Sequence, residues 1–410
     1  MIGLIVLFIV ASAALGVHVP SERDVAFDGF PAPKQELSSL ALDKFTTLKH
    51  NAYPDHSMRI KRTRDMPTNR SSSYAGYIDI EARHLFFYFY ESRSTPDVDP
   101  VLMWINGGPG CSSAIGAFME LGLSFDHATS MTAMVESTTL LLELEGMIYL
   151  AHELSLTSHH FYQANLFILD QPIGTGFSYA DHGERVSTTE EAATDVVAFI
   201  AIFFERFKKF EGRAFHMSGE SYGPVYASVL YDANALAVAQ GLTLANLQST
   251  LIGNGLTDFL TLTPSYYDLM CTNASVKPFL LVSSCVRIQQ IVRSRGVFLH
   301  FGDFDAFLVH WRKNFGVSPH PGNFTSCSER VQLDFGAKQD ELHTSNLWVA
   351  ELLERDIRVN GTVDDEYAGI TKSEGPFTSA TVDKAGHMVS YNRPVQALAM
   401  LNWWLAGKPL

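Results

Sequence analysis

The sequence predicts an α/β fold built on one mostly parallel sheet, because apolar strands alternate with helical segments along the chain. The clearest helix covers residues 188–210, with Thr188 able to cap it and Lys208 and Lys209 in its last turn. A second observation is a G-x-S-x-G sequence, Gly219–Gly223, between a predicted strand and a predicted helix. The chain has 410 residues, of which 46% are hydrophobic, so one large core is expected.

Aromatic and β-branched runs predict the strands. In chain order they are YAGYIDI (74–80), HLFFYFYES (84–92), PVLMWI (100–105), ANLFIL (164–169), RAFHMSGES (213–221), STLIG (249–253) and FTSATV (377–382). A helix is expected after the G-x-S-x-G turn, to about residue 240, and a last one over 393–405 with Pro394 in its first turn. Residues 18–70 are polar and mixed, and we interpret them as a lead segment of the kind that is processed as a propeptide.

The N-terminal residues predict export. An apolar stretch from Ile2 to Ile9, followed by small residues, is typical of a signal peptide, here residues 1–17. No other stretch is long and apolar enough to predict a membrane anchor. The net charge of −14 disfavours nucleic acid as a partner. Four sequons agree with export and predict glycosylation at Asn69, Asn273, Asn323 and Asn360.

The four cysteines predict two disulfides, because an even count in an exported chain usually means full pairing. They are Cys111, Cys271, Cys285 and Cys327, and the sequence alone leaves three pairings open. No C-x-x-C or H-x-x-x-H spacing occurs among them, so we expect no metal site.

Ser221 is the predicted nucleophile, because a strand–turn–helix context lifts the serine of G-x-S-x-G above the sheet. The alternative is an ordinary glycine-flanked turn. A serine needs a base, and His387 follows a strand in a tight AGHMV loop late in the chain, as this type of fold requires. The glycine-rich turn NGGPG (106–110) can supply an oxyanion-hole N–H. Four other histidines lack such a context: His84, His159, His160 and His310.

Six stretches together resemble the serine carboxypeptidases of the α/β-hydrolase superfamily, especially the secreted or vacuolar enzymes of fungi. They are WINGGPGCSS, LFILDQPIGTGFSYA, GRAFHMSGESYG, IGNGLTD, GNFTSC and AGHMV, within residues 75–120, 162–272 and 318–400. The resemblance implies an α/β-hydrolase domain over residues 71–410, with helices on both faces of the sheet. It also implies hydrolysis of C-terminal peptide bonds without a cofactor, peptide or protein C-termini as substrates, and a secreted or vacuolar location.

The resemblance also implies a role for each site residue. In these enzymes' pattern, Ser221 is the nucleophile and His387 the base, and the N–H groups of Gly108 and Tyr222 form the oxyanion hole. The substrate's terminal carboxylate is held by Asn106, Gly107, Glu120 and Glu220. The implied disulfides are Cys111–Cys327 and Cys271–Cys285. Two glutamates bind a carboxylate only when they carry protons, which requires raised pKa values. Activity at acidic pH is therefore expected.

The chain departs from the family where the triad acid is expected. Asp305, in FLHFGDFDAF, is the doubtful candidate for this acid, and its surroundings resemble a different part of the family. The strand that carries the acid and its loop are missing between Val359 and Asn360, so an incomplete sheet is expected. Three other carboxylates have no positional argument: Asp364, Asp365 and Asp383.

Two further segments differ from the family, namely a shortened insertion at about 259–315 and the unmatched residues 121–161. Two alternatives therefore stay open beside a carboxypeptidase. One is a catalytically impaired homologue, either a binding protein or the product of a truncated gene model. The other is an acyltransferase on the same scaffold.

Overall fold

A computed structural model describes most of the chain from Lys34 to Lys408. The described residues are 34–50, 53–63, 72–121, 163–222, 245–255, 267, 271–272, 282–283, 285–286, 324, 326–340, 350, 352–353, 358–360, 369–382 and 385–408. The predicted signal peptide, residues 121–161 beyond Leu121, the helix predicted after the G-x-S-x-G turn and most of the shortened insertion lie outside them.

Within the described residues, twelve strands form one sheet. They are β1 Thr46–His50, β2 Tyr53–Arg62, β3 Ser73–Ile80, β4 Arg83–Tyr90, β5 Val101–Ile105, β6 Asn165–Leu169, β7 Tyr179–Ala180, β8 Ala214–Glu220, β9 Asn246–Gly253, β10 Arg358–Asn360, β11 Gly369–Glu374 and β12 Phe377–Val382. Their order is β1-β2-β3-β4-β6-β5-β8-β9-β10-β12-β11, with β7 beside β4. Neighbours from β6 to β12 are parallel, as the sequence predicts, and both ends of the sheet are antiparallel.

Four helices accompany the sheet in the described part of the chain. They are α1 Thr189–Arg206, α2 Glu329–Lys338, α3 Val389–Asn392 and α4 Pro394–Leu405. Single turns lie at Leu37–Ser39 and Lys208–Phe210, and a π-helical turn lies at Gly116–Glu120. Pro394 stands in the first turn of α4, as predicted.

Helix α1 is shorter than the sequence predicts. Thr188 caps it, accepting a hydrogen bond from the Glu191 N–H, but the helix ends at Arg206. Phe207 is extended (φ −106°, ψ 96°), so Lys208 and Lys209 fall in a separate 3-10 turn rather than in the last turn of α1. Burial of Phe207 explains the break, since an extended backbone turns this ring into the core.

Successive side chains of the central strands point to opposite faces of the sheet, so a core forms on each face. Met103 of β5 packs in the cluster that contains the buried face of α1, including Phe199. Its neighbour Trp104 packs in the opposite cluster, with Leu401 and Trp404 of α4. Helices therefore cover both faces, as the resemblance implies.

Residues 34–63 correct the predicted boundary at residue 71. They lie within the segment interpreted as a polar lead, yet β1 and β2 join the sheet and the compact unit begins at Lys34. Met58 and Ile60 of β2 are fully buried. Their alternation with polar residues such as Arg59, which pairs with Asp79, makes the segment polar on average although one face belongs to the core.

Strand β10 corrects the expectation of a missing strand. Val359 pairs with Thr250 of β9 and with Phe377 of β12, so the sheet is continuous at this point. The strand is nevertheless short: its last residue, Asn360, lies opposite Leu251, whereas β9 runs on to Gly253. The residues that follow, 361–368, lie outside the described part of the chain.

Both disulfides implied by the resemblance are present, Cys111–Cys327 and Cys271–Cys285. Of the four sequon asparagines, Asn360 ends β10 and the other three lie outside the described residues. Among the described residues, no helix has the length and apolarity that a membrane span needs. The same residues contain no group of three or more His, Cys, Asp or Glu side chains placed to hold a metal ion.

Candidate active site

Ser221 lies on a strained turn at the end of β8. Its φ is +59°, a left-handed conformation that few residues other than glycine adopt. The Ser221 N–H donates to the Gly253 carbonyl (2.9 Å), which fixes the turn to the end of β9. A serine in this strained conformation at the end of a central strand is what the predicted nucleophile elbow requires.

The glycine-rich turn after β5 lies directly against this elbow. A Cβ atom at Gly107 would lie 2.2 Å from the Tyr222 nitrogen and 2.8 Å from the Ser221 Cβ, so only glycine fits there. Gly108 has a φ of +118°. The glycine-rich turn thus touches the backbone of Ser221 and Tyr222 at Gly107, and Gly108 is the next residue of the turn.

The three side chains predicted to hold a carboxylate form one buried cluster. Asn106 Nδ2 donates to Glu220 Oε2 at 2.6 Å and to Glu120 Oε1 at 3.5 Å. The amide is held by its other end, because Asn106 Oδ1 accepts from Trp104 Nε1 (2.8 Å) and from the Gly116 N–H (3.2 Å). Each of the three side chains belongs to a residue that is only 6% exposed.

Burial raises the pKa of both glutamates. The pKa of Glu120 lies well above its usual value, first because of burial and then because of the neighbouring Glu220 charge. Burial also raises the pKa of Glu220, but a hydrogen bond from Glu120 and the charge of His387 oppose the rise. The pair can therefore present a protonated acid to a carboxylate ligand.

His387 lies in the loop after β12 and contacts Glu220. Its Nε2 is 3.5 Å from Glu220 Oε1, and its side chain is 50% exposed. Among the described residues no hydrogen bond joins His387 to Ser221, although Ser221 is the next residue after Glu220.

Two asparagines hold the loop of His387. Asn254 Nδ2 donates to the carbonyl oxygens of His387 (2.6 Å) and Gly386 (3.3 Å). Asn392 Oδ1 accepts from the Gly386 N–H at 2.8 Å. Asn254 lies in the IGNGLTD stretch, but its role was not predicted from the sequence; its φ is +46°.

A buried carboxylate, Asp170, supports the glycine-rich turn and was also missed. It accepts from Ser112 Oγ (2.6 Å), the Ser113 N–H (3.0 Å) and the Phe177 N–H (2.9 Å). Ser113 Oγ in turn accepts from the Asn106 N–H at 2.9 Å. The sequence did offer a signal for Asp170, because this residue lies in LFILDQP directly after a buried strand.

Asp340 is a second buried acid that sequence reasoning missed. Its Oδ2 accepts from the Tyr222 hydroxyl (2.5 Å), and it also binds the N–H and hydroxyl of Thr189 at the start of α1 (3.0 and 2.5 Å). The residue that supplies a predicted oxyanion-hole N–H is thus anchored through its side chain. No motif marks Asp340 in the sequence.

A cavity of about 400 Å³ lies beside the cluster. Glu120, Glu220 and His387 border it, and apolar side chains of β9, β12 and α4 form much of the remainder. Ser218 also borders it; the residue is 3% exposed and its hydroxyl has no hydrogen-bond partner in the described structure. The doubtful acid, Asp305, and the three other candidate carboxylates lie outside the described residues.

Known proteins resemble the chain over much of its length. Carboxypeptidase Y from Schizosaccharomyces pombe is 39% identical over 251 residues, which are 58% of this chain and 23% of that protein. Carboxypeptidase Y from Komagataella phaffii is 34% identical over 62% of this chain and 47% of that protein. For carboxypeptidase Y from Candida albicans the identity is 28%, over 86% of this chain and 77% of that protein. The chain therefore spans less than half the length of the first two relatives.

A prohormone-processing carboxypeptidase from Saccharomyces cerevisiae has a similar structure. The TM-score is 0.52 and the identity 16%, over 91% of this chain and 96% of that one, which shows a shared α/β-hydrolase fold. The family model for serine carboxypeptidases matches residues 64–293 and 345–407, well over half of the chain. The chain belongs to the serine carboxypeptidase family.

Proposed function

We propose that the chain is a serine-type carboxypeptidase that removes C-terminal residues from peptides at acidic pH. The observation that carries the proposal is the buried cluster of Asn106, Glu120 and Glu220 immediately beside the strained Ser221. Two carboxyl groups with raised pKa values suit an anionic ligand only when protonated, and a peptide's terminal carboxylate is such a ligand.

The substrate's carboxylate would bind among these groups. Asn106 Nδ2 and the Gly107 N–H donate to it, and protonated Glu120 donates a third hydrogen bond. A protonated Glu220 would add another. As the pH rises past the raised pKa values, these carboxyls ionise and repel the ligand. Binding of the substrate's carboxylate is therefore expected to weaken as the pH increases.

The chemistry is acyl transfer to Ser221. Its Oγ attacks the carbonyl of the last peptide bond, its proton passes to His387, and the N–H groups of Gly108 and Tyr222 stabilise the oxyanion. The proton then goes to the departing amino group, which leaves as the released residue. Water hydrolyses the ester by the same route. No step requires a cofactor.

We also propose that this reaction takes place in the secretory pathway, either in a vacuole or after secretion. The predicted signal peptide (1–17) and the sequons support this proposal. So do the two disulfides, which persist in oxidising compartments.

The test uses the full chain and two matched peptides, one with a free C-terminal carboxylate and one with a C-terminal amide. We expect release of the last residue from the free acid in mild acid, much slower cleavage of the amide, and no release by S221A. Equal cleavage of the two peptides would refute a carboxylate-recognising site.

One observation favours a second candidate, a catalytically impaired homologue. Strand β10 has only three residues, and no described carboxylate other than Glu220 pairs with His387. A fluorophosphonate probe separates the candidates. Labelling of Ser221 together with residue release supports the carboxypeptidase, labelling without release supports an acyltransferase, and absence of labelling supports the impaired homologue.

A further inference from the structure

Two consecutive residues at the end of β9 hold the backbone of the predicted nucleophile and the backbone of the predicted base. The Gly253 carbonyl accepts a hydrogen bond from the Ser221 N–H at 2.9 Å. The side chain of the next residue, Asn254, donates from Nδ2 to the carbonyl oxygen of His387 at 2.6 Å and to that of Gly386 at 3.3 Å. Ser221 and His387 are therefore connected through one step of the chain at the end of β9.

The nucleophile side of this connection belongs to the central sheet. Strands β8 and β9 pair in parallel up to Glu220 and Gly253, which lie opposite each other. Asn254 then leaves the strand with a φ of +46°, a left-handed conformation that asparagine tolerates better than most residues. The amide that reaches the loop of His387 is thus carried by a residue whose neighbour is fixed to the elbow.

The base side of the connection is a short loop between β12 and α3. The described pair that joins β10 to β12 lies at Phe377, the first residue of β12, whereas the loop follows the last residue, Val382. Asn392 of α3 accepts from the Gly386 N–H at 2.8 Å, so the loop is held from both sides. The side chain of His387 is 50% exposed, and its place therefore depends on how its backbone is held.

We propose that Asn254 is a positioning residue of the reaction, because its side-chain amide holds the backbone of His387 to the strand end that holds Ser221. The inference rests on the proposed acyl transfer at Ser221. A general base must come within hydrogen-bond reach of the hydroxyl whose proton it takes, and a displacement of about 1 Å can cost about 10²-fold in rate. An amide suits this task, since its two N–H groups match two carbonyl oxygens and do not titrate.

The first test separates the amide from the shape of the backbone. N254G keeps the left-handed conformation without strain and removes the donor. The matched control is N246G, because Asn246 begins the same strand and donates to the Gly212 carbonyl (3.2 Å) at its opposite end. The full chain is labelled with a fluorophosphonate: the Ser221 O–H bond breaks, an O–P bond forms, the proton passes to His387 and fluoride leaves.

We expect N254G to be labelled about 10- to 10²-fold more slowly than the parent at saturating probe, and N246G to be labelled at the parental rate. For a free-acid peptide, kcat of N254G should fall by a similar factor while KM stays the same, because the carboxylate-binding side chains are untouched. Thermal unfolding of both variants shows that they are folded. A raised KM with an unchanged kcat would assign Asn254 to substrate binding and overturn the inference.

The second test uses the pH dependence of N254D. When ionised, the introduced carboxylate repels the two carbonyl oxygens, and when protonated it donates a hydrogen bond to one of them. The labelling rate of N254D is divided by that of N254G at each pH, which cancels the titration of His387 and Glu220 that both variants share. We expect this ratio to rise as the pH falls through the pKa of the introduced carboxyl.

Labelling of N254G at the parental rate, or a ratio that does not change with pH, would overturn the inference. If N254G does not fold, N254D is compared with the parent instead: a ratio that rises toward acid supports the inference, and a constant one overturns it. Failure of the parent chain itself to be labelled overturns the proposed function, which distinguishes the two failures.

Discussion

Gly107 is the tightest backbone position of the site. A methyl group there would lie 2.2 Å from the Tyr222 nitrogen and 2.7 Å from the Glu220 carbonyl oxygen, and neither backbone atom can move aside alone. We expect G107A to push the glycine-rich turn away from the elbow and to slow labelling of Ser221 by about 10²-fold or more, the usual cost of a lost oxyanion donor. The labelling rate measures this.

The matched control for this substitution is G336A in α2. A Cβ atom at Gly336 would have nothing within 4 Å. Alanine there should leave labelling unchanged and raise the free energy of unfolding by about 0.5–1 kcal/mol. Equal labelling of G107A and G336A would contradict the close approach described here.

Asp340 tests how the side chain of Tyr222 is anchored. D340A removes the acceptor of the Tyr222 hydroxyl and of two groups of Thr189, all in a buried position. Since each buried polar group left unpaired costs about 1–3 kcal/mol, we expect a loss of several kcal/mol in denaturant unfolding. D334A, which breaks the half-exposed pair with Arg185, should cost about 0–1 kcal/mol. A similar small loss for D340A would refute the anchoring role.

At the scale of elements, helix α2 is joined to the glycine-rich turn by more than a disulfide. Beside Cys111–Cys327, the Ser112 N–H donates to the Ser326 carbonyl (2.7 Å) and the Ser328 N–H to the Gly110 carbonyl (2.8 Å). The start of α2 therefore helps to hold the turn that borders Ser221.

The two disulfides should differ in their effect on stability and activity. Cys111–Cys327 spans 216 residues of sequence and Cys271–Cys285 spans 14. In the chain-entropy view, replacing the first pair by alanine costs about 5.4 kcal/mol and replacing the second about 3 kcal/mol. Only the first replacement should also slow labelling of Ser221. Equal effects of both replacements on labelling would contradict the coupling of α2 to the turn.

At the scale of the molecule, buried acids set the dependence of stability on pH. Burial raises the pKa of Asp170 to about 6 and raises those of Glu120 and Glu220. An acid with a raised folded-state pKa binds more protons in the folded than in the unfolded state, so stability falls as the pH rises through the interval between the two values. His50 acts in the opposite sense, because burial lowers its pKa.

We therefore expect a higher melting temperature at about pH 5 than at about pH 7.5. The double variant E120Q/E220Q has neutral amides in place of two of these acids and should show a smaller difference. A melting temperature that rises with pH in the parent chain, or a difference that the double variant leaves unchanged, would contradict this account.

Much of the fold follows from local patterns. Short stretches of sequence predicted the central strands, the cap at Thr188 and Pro394 at the start of α4, because hydrophobic periodicity and capping are local signals. β1 and β2 were not, since one-sided burial among polar residues lowers their average apolarity. The break after Arg206 was missed because the core, and not local preference, decides the conformation of Phe207.

Only part of the site was predictable from the sequence. Ser221, Asn106 and the two glutamates lie in dense motifs, and the structure brings them together. The contact of His387 with Glu220 joins residues far apart in the chain, and no motif encodes it. Asp340 and Asn254 act through contacts that only the folded chain creates.

The brevity of β10 also makes the sheet unequal in its resistance to opening. Among the described residues, seven residue pairs join β8 to β9, whereas three join β10 to β9 and one joins β10 to β12. Amide protons of β11 and β12 should thus exchange with deuterium well before those of β5 and β8, because few ladder bonds must break to release them. The loop of His387, which follows β12, would then separate from Glu220 in a partial opening that leaves the rest of the molecule folded.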